Sequence, residues 1–225
     1  MEHHTVPTTV LWDIDGTLVM NASSPGNLYH LALERAVGRD LVLRVGHQHG
    51  RTDAGLIAEH VRAHDLDSGL IPVVSGHLRD LTEERHRSGD HRSPAPGAIA
   101  LVARFAELGW RNGLLTGNSA YRARVKLQGA GFDTEVFDWG HSFFGDEEVD
   151  RSAVAARAAE ALSGERAVIV GTPRGTARRR RPRGSRSSRS PPASTTWRRC
   201  VGRTPWWSRV TACRTSSWSR TPSRR

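Results

Sequence analysis

The stretch that most constrains this chain is Thr9 to Ile14 (TVLWDI), which runs directly into Asp15-Gly16. It is short, apolar and β-branched, with no polar alternation. Such a run reads as a strand buried on both faces, the kind found inside a parallel sheet. The second half of the chain follows suit. Residues 97–108 (GAIALVARFAEL) read as a helix with Leu101, Phe105 and Leu108 on one face, ended by Gly109. Residues 110–115 (WRNGLL) read as a strand, 119–128 as a helix, 152–162 as an Ala-rich helix and 167–170 (AVIV) as a strand. Strands alternating with helices imply an α/β fold on a parallel sheet, whose ligands bind at the carboxyl ends of the strands.

One region breaks the alternation. Residues 27–37 read as a helix started by Asn27 and stopped by Gly38, residues 53–63 as a second with Asp53 as its N-cap, and residues 73–87 as a third. Residues 86–97 (HRSGDHRSPAPG) are polar, rich in turn formers, and read as a linker. The expected organisation is a core of residues 8–19 and 94–172, a helical cap of 20–93 inserted between them, and a tail of 173–225.

The net charge of +10 first points to a nucleic-acid partner. Its distribution reads against one. The tail holds 16 Arg and no acidic residue, leaving 17 basic against 23 acidic residues in the rest, a net of −6. Both cysteines, Cys200 and Cys213, lie in the tail, so the body has neither a disulfide framework nor a cysteine metal cluster. The N-terminus lacks the basic and apolar segments of a signal peptide, and no stretch is apolar for long enough to span a membrane. A cytoplasmic protein without a membrane partner is expected. The 11 histidines, His3-His4 among them, show no metal-binding spacing and read as surface residues.

The first strand ends in D-I-D-G-T-L, residues 13–18. Two carboxylates two residues apart on an extended chain point the same way and repel, and a divalent cation relieves that repulsion. Oxygen-only ligands favour Mg²⁺. The second strand runs into Thr116-Gly117-Asn118 at the start of a helix, where exposed N–H groups and the helix dipole favour phosphate.

Together, D-I-D-G-T-L at 13–18 and L-L-T-G-N at 114–118 resemble the first two motifs of the haloacid dehalogenase (HAD) superfamily, near its phosphoglycolate-phosphatase-like members with a helical cap. The likeness covers about residues 8 to 172. It implies a Rossmannoid core and a phosphatase that acts on a small phosphorylated metabolite. Asp13 would be the nucleophile that forms an aspartyl-phosphate, and Asp15 the acid and then the base. Mg²⁺ would sit on the Asp13 carboxylate and the Asp15 backbone carbonyl. Thr116, Gly117 and Asn118 would hold the phosphoryl oxygens. The second Asp marks phosphoryl transfer, so dehalogenation is rejected; a phosphomutase also uses both Asp residues and stays open. For the cation of the third motif there are two candidates, Lys126, the only lysine, and Arg151; Lys126 is slightly preferred. G-R-T-D at 50–53 resembles a cap loop of the phosphatase members, in which Arg51 would reach an anionic leaving group.

The fourth motif expects G-D-x-x-x-D after the third strand, where this chain has G-T-P-R-G-T with Thr172 in place of the acid. One lost base explains it. Written GGG ACA CCC CGC GGG ACG, the segment becomes GGC GAC ACC CCG CGG GAC on insertion of a single C, and this translates as G-D-T-P-R-D. In the same frame the Arg run becomes Ala-compatible, and residues 185–193 can be read, by choice of codons, as a V-A-V-V-A-V-A-T-G strand. The tail is therefore read as out of frame, disordered and unable to bury apolar surface. The competing reading is an Arg/Ser-rich nucleic-acid-binding tail with tryptophans for stacking.

Overall fold

The computed structural model describes residues 8–20, 27–46 and 50–171. The chain divides into Met1–Thr172 and Pro173–Arg225, and the second unit lies outside the described residues. So do Thr172, His3-His4 and every expectation for the tail.

Three strands, β1 (Thr9–Trp12), β2 (Arg111–Leu114) and β3 (Ala167–Val170), form one parallel sheet in the order β2-β1-β3. The central position of β1 explains its unbroken apolar run, since every one of its residues is buried. Its alternating side chains serve two layers. Val10 and Trp12 pack with Val102 and Phe105 of α4 (Ala98–Glu107) and with Ala123 and Leu127 of α5 (Ala120–Gly129). Leu11 packs on the other side with Val154 and Ala158 of α6 (Arg151–Ala161). The fold is thus α/β with helices on both faces of the sheet, as the sequence predicts. The buried Asn112 of β2 is satisfied by Trp12 Nε1, which donates at 2.9 Å, and by its own bond to the Val102 carbonyl at 3.1 Å.

The remaining helices, α1 (Leu28–Val37), α2 (Asp53–Ala63) and α3 (Ile71–Arg87), share a separate apolar cluster that includes Leu33, Leu56, Val61, Val74 and Leu78. Asn27 accepts from the His30 N–H and starts α1, and Gly38 ends it in the left-handed region at φ 70°. The cap of α2 is Thr52, not Asp53: the Thr52 hydroxyl accepts from Gly55, which leaves the Asp53 carboxylate for other work. On α4 the buried face is Ala98, Val102 and Phe105, whereas Leu108 is exposed, so the predicted face is rotated by one residue.

The chain leaves and re-enters the sheet region through a narrow paired neck. Gly16, at φ 78°, closes a tight turn in which its N–H reaches the Val19 carbonyl at 2.8 Å. Leu18 to Met20 then lies against Ser93 to Ala95, through Met20 N to Ser93 O at 2.9 Å and Ala95 N to Leu18 O at 2.8 Å. The predicted linker is therefore partly ordered pairing, and it returns Arg92 to the mouth of the site.

His60 corrects the surface reading of the histidines. It is fully buried on α2, stacked on Tyr29, and neither ring nitrogen has a hydrogen-bond partner. Burial, then His30, His64 and Arg51, push it down to about 4. An unfolded chain protonates this ring near pH 6.5 and the folded chain only near 4, so its stabilising contribution is complete above pH 6.5 and is lost as pH falls towards 4. The expected loss is about 3 kcal/mol at most. Denaturant titrations at pH 6.5 and 4.5 should show this slope, and His60→Leu should flatten it.

Candidate active site

Asp13 and Asp15 follow the last residue of β1, and each is met by a cation from a different element. Asp13 is 5% exposed; its Oδ1 accepts the Ile14 N–H at 3.0 Å and lies 2.9 Å from Arg151 Nη2, at the first turn of α6. Asp15 is held from two sides. Lys126 Nζ lies 2.9 and 2.8 Å from its two oxygens, and Arg92 Nη1 lies 2.6 Å from Oδ1. Asn118 Nδ2 donates to Oδ2 at 2.8 Å. The two candidate cations are both at the site, one on each carboxylate.

The electrostatics follow from burial. Burial pushes the Asp15 carboxyl up, but Lys126 and Arg92 outweigh it and hold the group well below the usual carboxylate range. Burial pulls Lys126 down to about 8 against Asp15, with Arg122 and Arg92 adding to the lowering. Asp15 is therefore an anion at neutral pH in this configuration.

Thr116, Gly117 and Asn118 form a loop between β2 and α5. The Thr116 hydroxyl oxygen accepts from Asn118 Nδ2 at 2.8 Å and from the Asn118 N–H at 3.2 Å, and Asn118 Oδ1 accepts from Lys126 at 2.6 Å. The Ser119 N–H, also at the start of α5, donates to Asp53 of the cap at 2.8 Å. Two of the N–H groups in the expected anion nest thus have partners within the protein.

The cap touches this loop directly. The Asp53 N–H donates to the Gly117 carbonyl at 2.7 Å and the Ala54 N–H to the Gly145 carbonyl at 3.0 Å. Thr52 Oγ1 donates to the Val149 carbonyl at 2.7 Å. The Arg51 guanidinium pairs with Glu59 inside the cap, so it is the backbone of Arg51, and not its charge, that meets the Thr116–Asn118 loop.

Sequence reasoning missed Arg92, which sits in a segment read as linker. Its signal was position: it precedes the Ser93–Ala95 return that pairs beside the D-I-D-G turn. Reasoning also missed Tyr29, Asp53 and Arg122, which form a buried network between cap and core. Burial raises the Tyr29 phenol above its ordinary range, Arg122 opposing and Asp53 adding to the rise. Burial works against the Arg122 charge, and Asp53 and Tyr29 outweigh it.

Mg²⁺ can be weighed against these donors. Asp13 and the Asp15 backbone offer hard oxygens, which suits an ion that takes few protein ligands. No cluster of three His, Cys, Asp or Glu occurs among the described residues, and the fourth-motif position is not one of them.

Gly117 has no room for a side chain, since a Cβ there would strike the Arg51 carbonyl. Gly117→Ala is expected to lift the cap loop and to cost about 1–3 kcal/mol. Urea unfolding checks the loss, and faster amide exchange at Asp53 and Ser119 locates it.

No protein-family model matches the chain, and no curated protein does. Solved structures do. A hydrolase from Pseudomonas syringae is 15% identical over 73% of this chain and 75% of that one, with a TM-score of 0.51. CbbY from Rhodobacter sphaeroides, solved in complex with phosphate, is 19% identical over 73% of this chain and 76% of that one, with a TM-score of 0.53. The order of strands, the helices on both faces and these likenesses establish the HAD-like α/β fold.

Proposed function

We propose that the chain is an impaired copy of a Mg²⁺-dependent phosphatase that acts on a small phosphomonoester through an aspartyl-phosphate at Asp13. The observation that carries this reading is the pairing of each strand-end carboxylate with its own cation, beside the Thr116 loop. A nucleophile, an acid/base group and phosphate-binding cations are then within one crevice.

In the first step an Asp13 oxygen attacks phosphorus, the bond to the leaving oxygen breaks, and Asp15 supplies the proton that oxygen needs. In the second, water attacks the aspartyl-phosphate, Asp15 takes the proton from water, and phosphate departs. Asp15 must be protonated to begin. Incoming phosphate competes with it for Lys126 and Arg92; once those cations turn to the substrate, burial raises the Asp15 carboxyl. Thr116 and the Gly117 backbone line the phosphoryl side, with Lys126 and Arg151 as its cations. The Asp13 carboxylate and the Asp15 backbone carbonyl would hold Mg²⁺, which would supply charge that screens nucleophile from phosphate.

The reading includes a lost base at the codon of Gly171, which removes the last acid of the site. β3 supports it in one respect. Its AVIV sequence has the composition of an interior strand, yet among the described residues it lies at the sheet edge with Ile169 43% exposed. The chain as written is accordingly expected to be weak or inactive, and the restored frame active.

The test is p-nitrophenyl phosphate hydrolysis with Mg²⁺, by this chain and by a version with the frame restored. The restored version should turn over, lose activity with EDTA and with Asp13→Asn, and lose about 10²–10⁴-fold in kcat with Asp15→Asn. An inactive restored version, or an Asp13→Asn rate equal to its parent's, rejects the reading. Product analysis with a sugar phosphate separates hydrolysis from mutase chemistry.

A further inference from the structure

A buried ion pair joins the cap to the core and takes no part in the chemistry above. Arg122 Nη1 lies 2.6 Å from Asp53 Oδ1 and 2.7 Å from Tyr29 Oη, and the Tyr29 hydroxyl donates to the same Asp53 oxygen at 2.7 Å. The side chains of Arg122 and Asp53 are only 6% and 5% exposed. The other Asp53 oxygen accepts from the Ser119 N–H, and the Asp53 N–H reaches the Gly117 carbonyl. A single cap residue therefore holds the loop, the N-cap and the first turn of α5. Lys126 is one turn beyond Arg122 on that helix and carries the contacts to Asp15 and Asn118.

We propose that Asp53 and Arg122 are positioning residues that set α5, and through it Lys126, against Asp15, so that docking the cap and assembling the cationic site are one event. That the assembled site takes phosphate rests on the preceding proposal; the coupling does not. The physical reason is the cost of separating the pair. Removing one partner leaves the other charge buried alone, whereas lifting the whole cap lets water reach both. Loss of either charge thus favours the lifted state, which frees the first turn of α5 and loosens Lys126. A staple that merely held the cap in place would leave Lys126 unaffected.

Lys126 is the only lysine in the chain, so amine acylation followed by peptide mass analysis reports on it, with the N-terminal amine as internal reference. In the full chain, Asp53→Asn and Arg122→Gln should each speed Lys126 acylation about tenfold relative to that reference. Tyr29→Phe keeps the ring and removes one link; it should speed acylation about threefold. Arg35→Gln, which breaks the exposed cap pair with Glu84, should change nothing. A Tyr29→Phe chain that stays folded by circular dichroism and labels Lys126 at the parent rate overturns the proposal. In the unaltered chain, Ser119 amide exchange and Lys126 acylation should rise together with sub-denaturing urea, and separate rises overturn it too. No substrate enters these measurements, so a chain inert towards phosphomonoesters leaves the coupling standing.

Discussion

Two like charges stand at the end of a strand buried on both faces, and most of the site answers that constraint. An unpaired carboxylate at such a depth costs several kcal/mol, by about as much as any single residue contributes to a fold. β1 cannot shed the cost itself, because its residues are committed to the two apolar layers. The charge is met from elsewhere: Arg151 from the start of α6, Lys126 from the last turn of α5, and Arg92 from the paired neck. Each arrives at the carboxyl end of the sheet because the topology delivers it there. In a parallel sheet every β-to-α connection opens at that end, and the neck folds back on the D-I-D-G turn.

The second constraint is close approach. The cap loop lies so near the Thr116–Asn118 loop that Gly117 cannot carry a side chain, and Gly55 is as tightly placed against the Val149 carbonyl. Such contacts between backbones are stiff. They have one good arrangement, and small displacements lose several hydrogen bonds together. The Asp53 network works in the same sense, since its four hydrogen bonds converge on one carboxylate, one guanidinium, one phenol and one N–H. Tyr121 adds a further contact between cap and core, with its hydroxyl on Glu83 and Arg79 over its ring at 4.3 Å.

The parts legible in the sequence were those governed by local pattern. An apolar run ending in two carboxylates, helices bounded by Asn27 and Gly38, and a Thr-Gly-Asn turn after a strand each carry their physics within a few residues. What stayed hidden was set by tertiary pairing. Asp53 has the look of a helix cap, and Thr52 beside it has the same look; only the position of Arg122 and Tyr29 decides which one is spent on the cap. Arg92 resembled a solvated linker charge until the Ser93–Ala95 pairing placed it. His60 was misread because helical spacing alone does not say that Tyr29 of α1 covers that face of α2. The sequence slightly favoured Lys126 over Arg151, whereas the geometry gives each its own carboxylate.

Charge shows why local arrangement outweighs totals. Without the tail's arginines the body is net negative by 6, which at long range repels anions. At physiological salt that field decays over about 8 Å. Inside the crevice the near neighbours decide, and there Arg92, Lys126 and Arg151 set three positive charges against the two of Asp13 and Asp15. Burial strengthens those contacts. An acidic protein with a locally cationic crevice can hold an anion only where the cations converge, which is to say only while the neck, α5 and α6 keep their places. The anion affinity that the proposed function requires is therefore a matter of the assembled fold, and it cannot be read from the +10 that the whole chain carries.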